Sequence, residues 1–118
     1  MSEKKETLSQ KQARFMYTFA RFVTWIEDVH AKKHGYHVTY GDAFRDARVH
    51  GAMGVKQGYG HRNSAHKLRM AVDINCIKNG KLVAEFYPEM HDQWDKMGGA
   101  ERIPHDLNHF SFEHNGMR

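Results

Sequence analysis

The sequence predicts an α+β domain in which a long N-terminal helix packs with a small antiparallel sheet. An apolar stripe at helical spacing occupies the first third of the 118-residue chain, and alternating apolar and polar residues follow in the second half. An Asn-Gly pair between two alternating segments is typical of a tight turn joining antiparallel strands. The length and the 40% apolar content suit a single domain over residues 1–118, with 1–8 as a flexible N-terminal segment.

The N-terminal helix is predicted over residues 9–33. Its apolar stripe repeats at spacings of four, three, four and three residues, at Phe15, Phe19, Phe22, Ile26 and Val29. Ser9 is a candidate N-cap, and Gly35 follows a basic stretch, as expected at a helix C-terminus. Such an aromatic stripe predicts core packing rather than a ligand site.

The segments after this helix are shorter. Residues 37–40 form an extended segment, and Asp42 is a candidate cap for a brief helix that carries Arg45. Residues 51–64 contain four glycines without a phosphate-binding pattern. They therefore predict a long loop that forms one wall of a cleft.

The alternating segments predict the sheet. Asn79 and Gly80 both tolerate positive φ, so we expect a type I′ turn between strands over 70–78 and 81–86. Pro88 then opens a helix to about residue 97, which ends at a Gly-Gly pair and packs Trp94 against the sheet. A final strand follows this helix.

Four side chains are suited to a catalytic zinc site: His66, Asp73, Asp106 and His109. Such sites use three protein ligands and leave a fourth position for water. Alternation places Asp73 and His109 on the faces of their strands opposite their apolar neighbours, and His66 lies in a loop before the first strand. Because the chain has ten histidines, chance pairing is the competing explanation, with Asp73 solvated and His109 at a sheet edge.

Two motifs resemble those of the M15 family of zinc peptidases. The first reads Ser-Ala-His-Lys-Leu-Arg-Met-Ala-Val-Asp over 64–73, and the second reads Asp-Leu-Asn-His-Phe over 106–110. The family includes D-alanyl-D-alanine carboxypeptidases and dipeptidases, and phage endolysins that cut the L-alanyl-D-glutamate bond of peptidoglycan. The chain resembles the short endolysins most closely, from about residue 36 onward. The resemblance implies a fold of the Hedgehog/DD-peptidase type.

The resemblance implies a role for each matched residue. His66, Asp73 and His109 would bind Zn²⁺, and Asp106 would act as general base. Arg45 would stabilise the oxyanion, although it also fits an ordinary charged helix face. Residues considered for substrate binding are Ser64, Tyr59, Arg62 and His105.

Two features of the motifs need a structural account. Arg69 stands where the family pattern has glycine, a residue that often marks positive φ or close backbone approach. The spacing of three between Asp106 and His109 is odd in strand parity, so both can face one ion only if the chain turns near 104–107.

The remaining candidate ligands have simpler interpretations. His105 could support the site as a hydrogen-bond partner of a ligand. The lone Cys76 lies on the apolar side of its strand and is expected to be a small buried hydrophobe. We expect the other histidines to lie at the surface: His30, His34, His37, His50, His61, His91 and His114.

Charge and targeting signals bound the partners. The net charge is +4, but the basic residues are scattered and form no stripe, so we do not expect a nucleic-acid partner. An anionic cell envelope would attract such a surface. Neither a signal peptide nor a membrane span is visible, so we expect the protein to stay in the host bacterial cytoplasm until a holin-type partner gives it access to peptidoglycan. We also expect a monomer.

Two alternatives stay open. One is a D-Ala-D-Ala carboxypeptidase or dipeptidase on the same scaffold, because bond choice depends on the groove rather than on the ligands. The other is a non-catalytic binding domain in which zinc serves folding.

Overall fold

The computed structural model describes residues 5–41 and 65–118 and confirms the α+β class. The elements in chain order are α1 (Leu8–Trp25), a π-helical turn (Ile26–His30), α2 (Ala31–His34), β1 (His37–Tyr40), a 3₁₀ turn (Ala65–Leu68), β2 (Ala71–Lys78), β3 (Lys81–Val83), α3 (Tyr87–Lys96) and β4 (His109–Ser111). The predicted cap at Asp42, the helix carrying Arg45 and the glycine-containing loop lie outside the described residues.

Helix α1 begins one residue earlier than predicted, and its N-cap is Thr7 rather than Ser9. The Thr7 hydroxyl accepts from the Gln10 backbone N–H at 3.2 Å, and the Thr7 backbone N–H donates to the Gln10 side chain at 2.9 Å. The Thr-x-x-Gln spacing thus forms a capping box, which satisfies two N–H groups at once. Ser9 lies inside the first turn.

The apolar stripe is confirmed as far as Ile26, and then its phase changes. Phe15, Phe19, Phe22 and Ile26 are buried, but Val29 is 54% exposed and His30 is 5% exposed. The Ala31 backbone N–H donates to the Ile26 carbonyl, which is the i to i+5 bond of a π-helical turn. This turn adds one residue to the helix and brings His30 to the buried face. Gly35 ends α2 at φ 73°, as predicted.

Strand β2 is the centre of the sheet and pairs antiparallel with the other three strands. It contacts β1 along 74–77, β3 along 76–78 and β4 along 71–73. Asn79 and Gly80 have φ of 53° and 75°, which confirms the predicted turn between β2 and β3. β3 is shorter than predicted because Phe86 already caps α3.

The core joins α1, α3 and β4 through aromatic rings. Trp94 of α3 is fully buried; its ring centroid lies 5.0 Å from that of Phe22, and its indole N–H donates to the Ser111 carbonyl at 3.0 Å. A side chain at Gly99 would collide with this indole, since its Cβ would lie 1.9 Å from Trp94 Nε1. These contacts fix β4, and therefore His109, relative to α3.

Candidate metal centre

Strand register brings Asp73 and His109 together. The two residues lie directly opposite each other in the β2 and β4 pair, where Cβ atoms are typically about 4.5–5.5 Å apart. His66 enters from the 3₁₀ turn before β2, which is closed by a hydrogen bond from the Met70 N–H to the Ala65 carbonyl at 3.0 Å. We call His66, Asp73 and His109 the sheet cluster.

The turn after His66 places Arg69 in a conformation that favours glycine. Arg69 has φ 59°, in the left-handed region that glycine adopts without steric cost. This conformation costs about 1–2 kcal/mol for a residue with a Cβ.

The three donor atoms of the sheet cluster form a nearly equilateral triangle. His66 Nε2 lies 3.1 Å from Asp73 Oδ1 and 3.1 Å from His109 Nδ1, and the third side measures 3.4 Å. Bond lengths of about 2.0–2.1 Å at tetrahedral angles place ligand atoms about 3.3 Å apart. The triangle therefore has the dimensions of three ligands sharing one Zn²⁺.

With Asp73 ionised, protons alone do not satisfy this triangle. A neutral imidazole nitrogen carries either one hydrogen or one lone pair. If His66 Nε2 donates to Asp73 and His109 Nδ1 does the same, two N–H groups face each other at 3.1 Å. If His66 instead accepts from His109, its lone pair faces the carboxylate. A cation among the three atoms would remove this conflict, so the donor set fits a metal ion.

Hydrogen bonds from the two histidines favour an ionised carboxylate at Asp73. Burial raises the pKa of Asp73, but hydrogen bonds from His109 and His66 outweigh it and hold the pKa well below its usual range. His66 is fully buried and His109 is 5% exposed. His109 Nε2 is buried without a hydrogen-bond partner among the described residues, and the polar contacts of this ring are made by Nδ1.

Asp106 lies beside the triangle rather than in it. Its carboxylate Oδ2 is 4.0 Å from His109 Nδ1, and its side chain is 44% exposed. The turn that strand parity requires is present: the Asp106 N–H donates to the Ile103 carbonyl at 2.9 Å, and the His109 N–H donates to the Asp106 carbonyl at 3.1 Å. These bonds turn the Asp106 side chain toward the same side as His109.

His91 positions this turn, and the prediction that it lies at the surface is wrong. Its side chain is fully buried, its Nε2–H donates to the Leu107 carbonyl at 2.7 Å, and its ring stacks on Phe110 with centroids 4.2 Å apart. Burial lowers the pKa of His91, which keeps the ring neutral. A sequence signal existed, since Tyr87, His91 and Trp94 share the buried face of α3 at spacings of four and three.

An open depression adjoins Asp106. It has a volume of about 470 Å³ and is lined by both apolar and polar side chains, including Asn75, Tyr87 and His105. His105 is exposed and lines this depression together with Asp106. The side chain that donates a hydrogen bond to the turn is His91.

The other sequence predictions divide into three groups. Cys76 is buried, as expected. His37 is exposed, whereas His34 and His114 are partly buried and His30 is buried, so the surface prediction is wrong for His30. Residues predicted to serve the site or the surface that lie outside the described part of the chain are Arg45, His50, Tyr59, His61, Arg62 and Ser64.

Comparisons with known proteins add no relative: no family model, curated protein or solved structure matches the chain. Within residues 5–41 and 65–118, no helix is long and apolar enough to cross a bilayer.

Proposed function

We propose that this protein is a zinc-dependent peptidase of the M15 type that hydrolyses the L-alanyl-D-glutamate bond of bacterial cell-wall peptides, as phage endolysins do. One observation carries the proposal. Two imidazole nitrogens and a carboxylate oxygen converge at 3.1–3.4 Å, with the carboxylate of Asp106 a further 4.0 Å from one of them.

The donor set suits zinc in a catalytic role. Two histidines and one carboxylate form a known class of catalytic zinc ligands, which leaves a position open for water or substrate. His66, Asp73 and His109 would hold the ion, and all three atoms already face one another. When bound there, Zn²⁺ acts as a Lewis acid toward a substrate carbonyl and toward water.

Asp106 supplies the proton transfers. Its carboxylate takes a proton from the attacking water as the new C–O bond forms at the scissile carbonyl, and it returns that proton to the amine as the C–N bond breaks. General acid–base help of this kind contributes about 10²- to 10⁴-fold to the rate. The partial exposure of Asp106 allows water and peptide to reach it.

The depression beside Asp106 offers a place for the peptide. Small-molecule and peptide sites are usually concave and combine apolar walls with a few polar groups. Leu82 and Val83 supply apolar surface there, and Asn75 and His105 supply hydrogen-bonding groups. A stem peptide lying along the depression would bring its scissile bond to Asp106.

The wider setting follows from the same proposal. The substrate is peptidoglycan, and the net charge of +4 would favour encounter with an anionic envelope. The protein would accumulate in the host cytoplasm and reach the cell wall through a holin-type partner.

Digestion of purified peptidoglycan tests the proposal. The zinc-loaded protein and an Asp106→Asn control, matched in size, are incubated with the substrate, and new termini are identified by mass spectrometry. New N-terminal D-glutamate, absent with the control, supports the proposal. Released D-alanine would select the carboxypeptidase alternative, and unchanged peptidoglycan with folded, zinc-loaded protein would leave a binding domain.

A further inference from the structure

A second group of two histidines and one carboxylate lies away from the sheet, where the π-helical turn and α2 meet the start of α3. His30 Nε2 lies 2.5 Å from Glu89 Oε2, and His34 Nε2 lies 3.8 Å from the same oxygen. The ligand atoms all lie within 4.8 Å of one another. We call His30, His34 and Glu89 the helix cluster.

We propose that the helix cluster is a second binding site for a divalent transition-metal ion such as Zn²⁺, which ties the N-terminal helical segment to α3. The proposal is independent of peptidase activity, because no residue of the helix cluster belongs to the sheet cluster or contacts Asp106 in the described structure.

Helix geometry places the two histidines on one face. His30 and His34 are four residues apart, and side chains at that spacing lie one above the other. Their ring centroids are 4.6 Å apart. Paired histidines at i and i+4 are an established way for a helix to hold zinc.

The π-helical turn is what directs His30 toward α3. An uninterrupted α-helix would continue the apolar stripe at Val29, whereas the extra residue buries His30 and leaves Val29 54% exposed. π-helical turns are rare and frequently occur at functional sites.

The second nitrogen of His30 has the partner that a metal ligand needs. Its Nδ1 lies 2.6 Å from the Tyr36 hydroxyl oxygen. Metal-binding histidines usually donate the other ring N–H to a neighbouring acceptor, which fixes the tautomer and the ring orientation. With Nδ1–H donated to Tyr36, loss of the Nε2 proton on metal binding would direct the Nε2 lone pair toward the space shared with Glu89 and His34.

Glu89 supplies a surface carboxylate as the third ligand. Its side chain is 64% exposed, so it can withdraw from the 2.5 Å contact with His30 to the wider spacing that an ion requires. Entry of the cation would replace the hydrogen bond between His30 and Glu89.

Metal stoichiometry tests the proposal. The 118-residue protein is equilibrated with excess Zn²⁺ and freed of unbound ion, and its zinc content is measured by inductively coupled plasma mass spectrometry. We expect two ions per chain. His34→Ala and Glu89→Gln should each reduce this to one, whereas His37→Ala and Glu85→Gln, which change an exposed histidine and an exposed carboxylate nearby, should not. Circular dichroism verifies that the variants fold.

A His66→Ala background separates this proposal from the proposed function. There the helix cluster should still bind one ion, and His34→Ala should remove it. Wild-type stoichiometry of one ion that is insensitive to both His34→Ala and Glu89→Gln would overturn the second site, whatever the activity toward peptidoglycan.

Discussion

The sheet cluster and the helix cluster contain the same ligand types but hold them differently. In the sheet cluster the side chains of His66, Asp73 and His109 are 0%, 14% and 5% exposed. In the helix cluster, exposure rises from 6% at His30 to 64% at Glu89. Antiparallel register fixes Asp73 and His109 of the first set on two paired strands, and the turn before β2 adds His66. The second set includes an exposed surface carboxylate. Chemistry on a substrate requires the rigid arrangement, and a binding clip between helices does not.

Ligand spacing makes the same distinction. The sheet cluster has sides of 3.1, 3.1 and 3.4 Å, close to what one tetrahedral ion needs. The helix cluster has contacts of 2.5 and 3.8 Å and must rearrange to bind. Because rearrangement costs free energy, we expect the sheet cluster to bind Zn²⁺ more tightly.

Removing one ligand from the sheet cluster should have the largest effect. His66→Ala should lose the ion of the sheet cluster together with peptidase activity, because two remaining ligands hold zinc weakly. His34→Ala should keep the ion of the sheet cluster and the peptidase activity. Metal analysis and peptidoglycan digestion of the two variants, run in parallel, check this; retention of the sheet-cluster ion in His66→Ala would show that the ligands are misassigned.

Removing the carboxylate beside the sheet cluster should separate binding from turnover. Asp106→Ala should retain the ion, since Asp106 lies outside the donor triangle, while turnover falls by about 10²- to 10⁴-fold. Steady-state hydrolysis together with metal analysis measures both. Wild-type rates in this variant would remove Asp106 from the mechanism.

His91 tests whether the turn at 106–109 depends on α3. His91→Ala removes a fully buried ring and leaves the Leu107 carbonyl without its donor. Large-to-small changes at such positions cost about 2–5 kcal/mol, so the free energy of unfolding in urea should fall by that order. Exposed His37 provides the control, and His37→Ala should change the free energy of unfolding by less than about 0.5 kcal/mol.

The same residue predicts a pH dependence. Burial lowers the pKa of His91 in the folded state, so below pH about 6.5 the unfolded chain binds a proton that the folded chain does not. The contribution of His91 to stability is therefore present above that pH and decreases as the pH falls. Urea unfolding from pH 7.5 to 5.5 should show a smaller loss in His91→Gln than in the wild type; equal losses would contradict the assignment.

Much of the sheet cluster could be predicted from the sequence because strand alternation is a local pattern. Alternation separates Asp73 from its apolar neighbours, and the Asn-Gly turn positions β3. The pairing register of β2 and β4 places His109 opposite Asp73. The motif that includes His66 supplies the third candidate ligand. The dimensions of the triangle required coordinates.

The helix cluster could not be predicted in the same way. A π-helical turn has no clear composition signal, so the apolar spacing in the sequence continues to Val29 and predicts a surface position for His30. Glu89 is 59 residues from His30 along the chain, and only tertiary packing brings them together. The burial of His91, in contrast, could have been predicted, because its spacing along α3 places it on the apolar face of that helix.

The smallest effect concerns the turn that delivers His66 to the sheet cluster. Arg69 has φ 59°, so Arg69→Gly relieves backbone strain but makes the unfolded chain more flexible. We expect the free energy of unfolding to rise by about 1 kcal/mol or less, with unchanged zinc content. A marked loss of stability in thermal unfolding would mean that side-chain contacts of Arg69 outweigh the strain.

Anomalous diffraction from zinc-loaded crystals is the most direct test of the metal centre. We expect an ion within about 2.0–2.2 Å of His66 Nε2, Asp73 Oδ1 and His109 Nδ1. The absence of zinc density among these three atoms, with the side chains joined only by hydrogen bonds, would contradict this assignment.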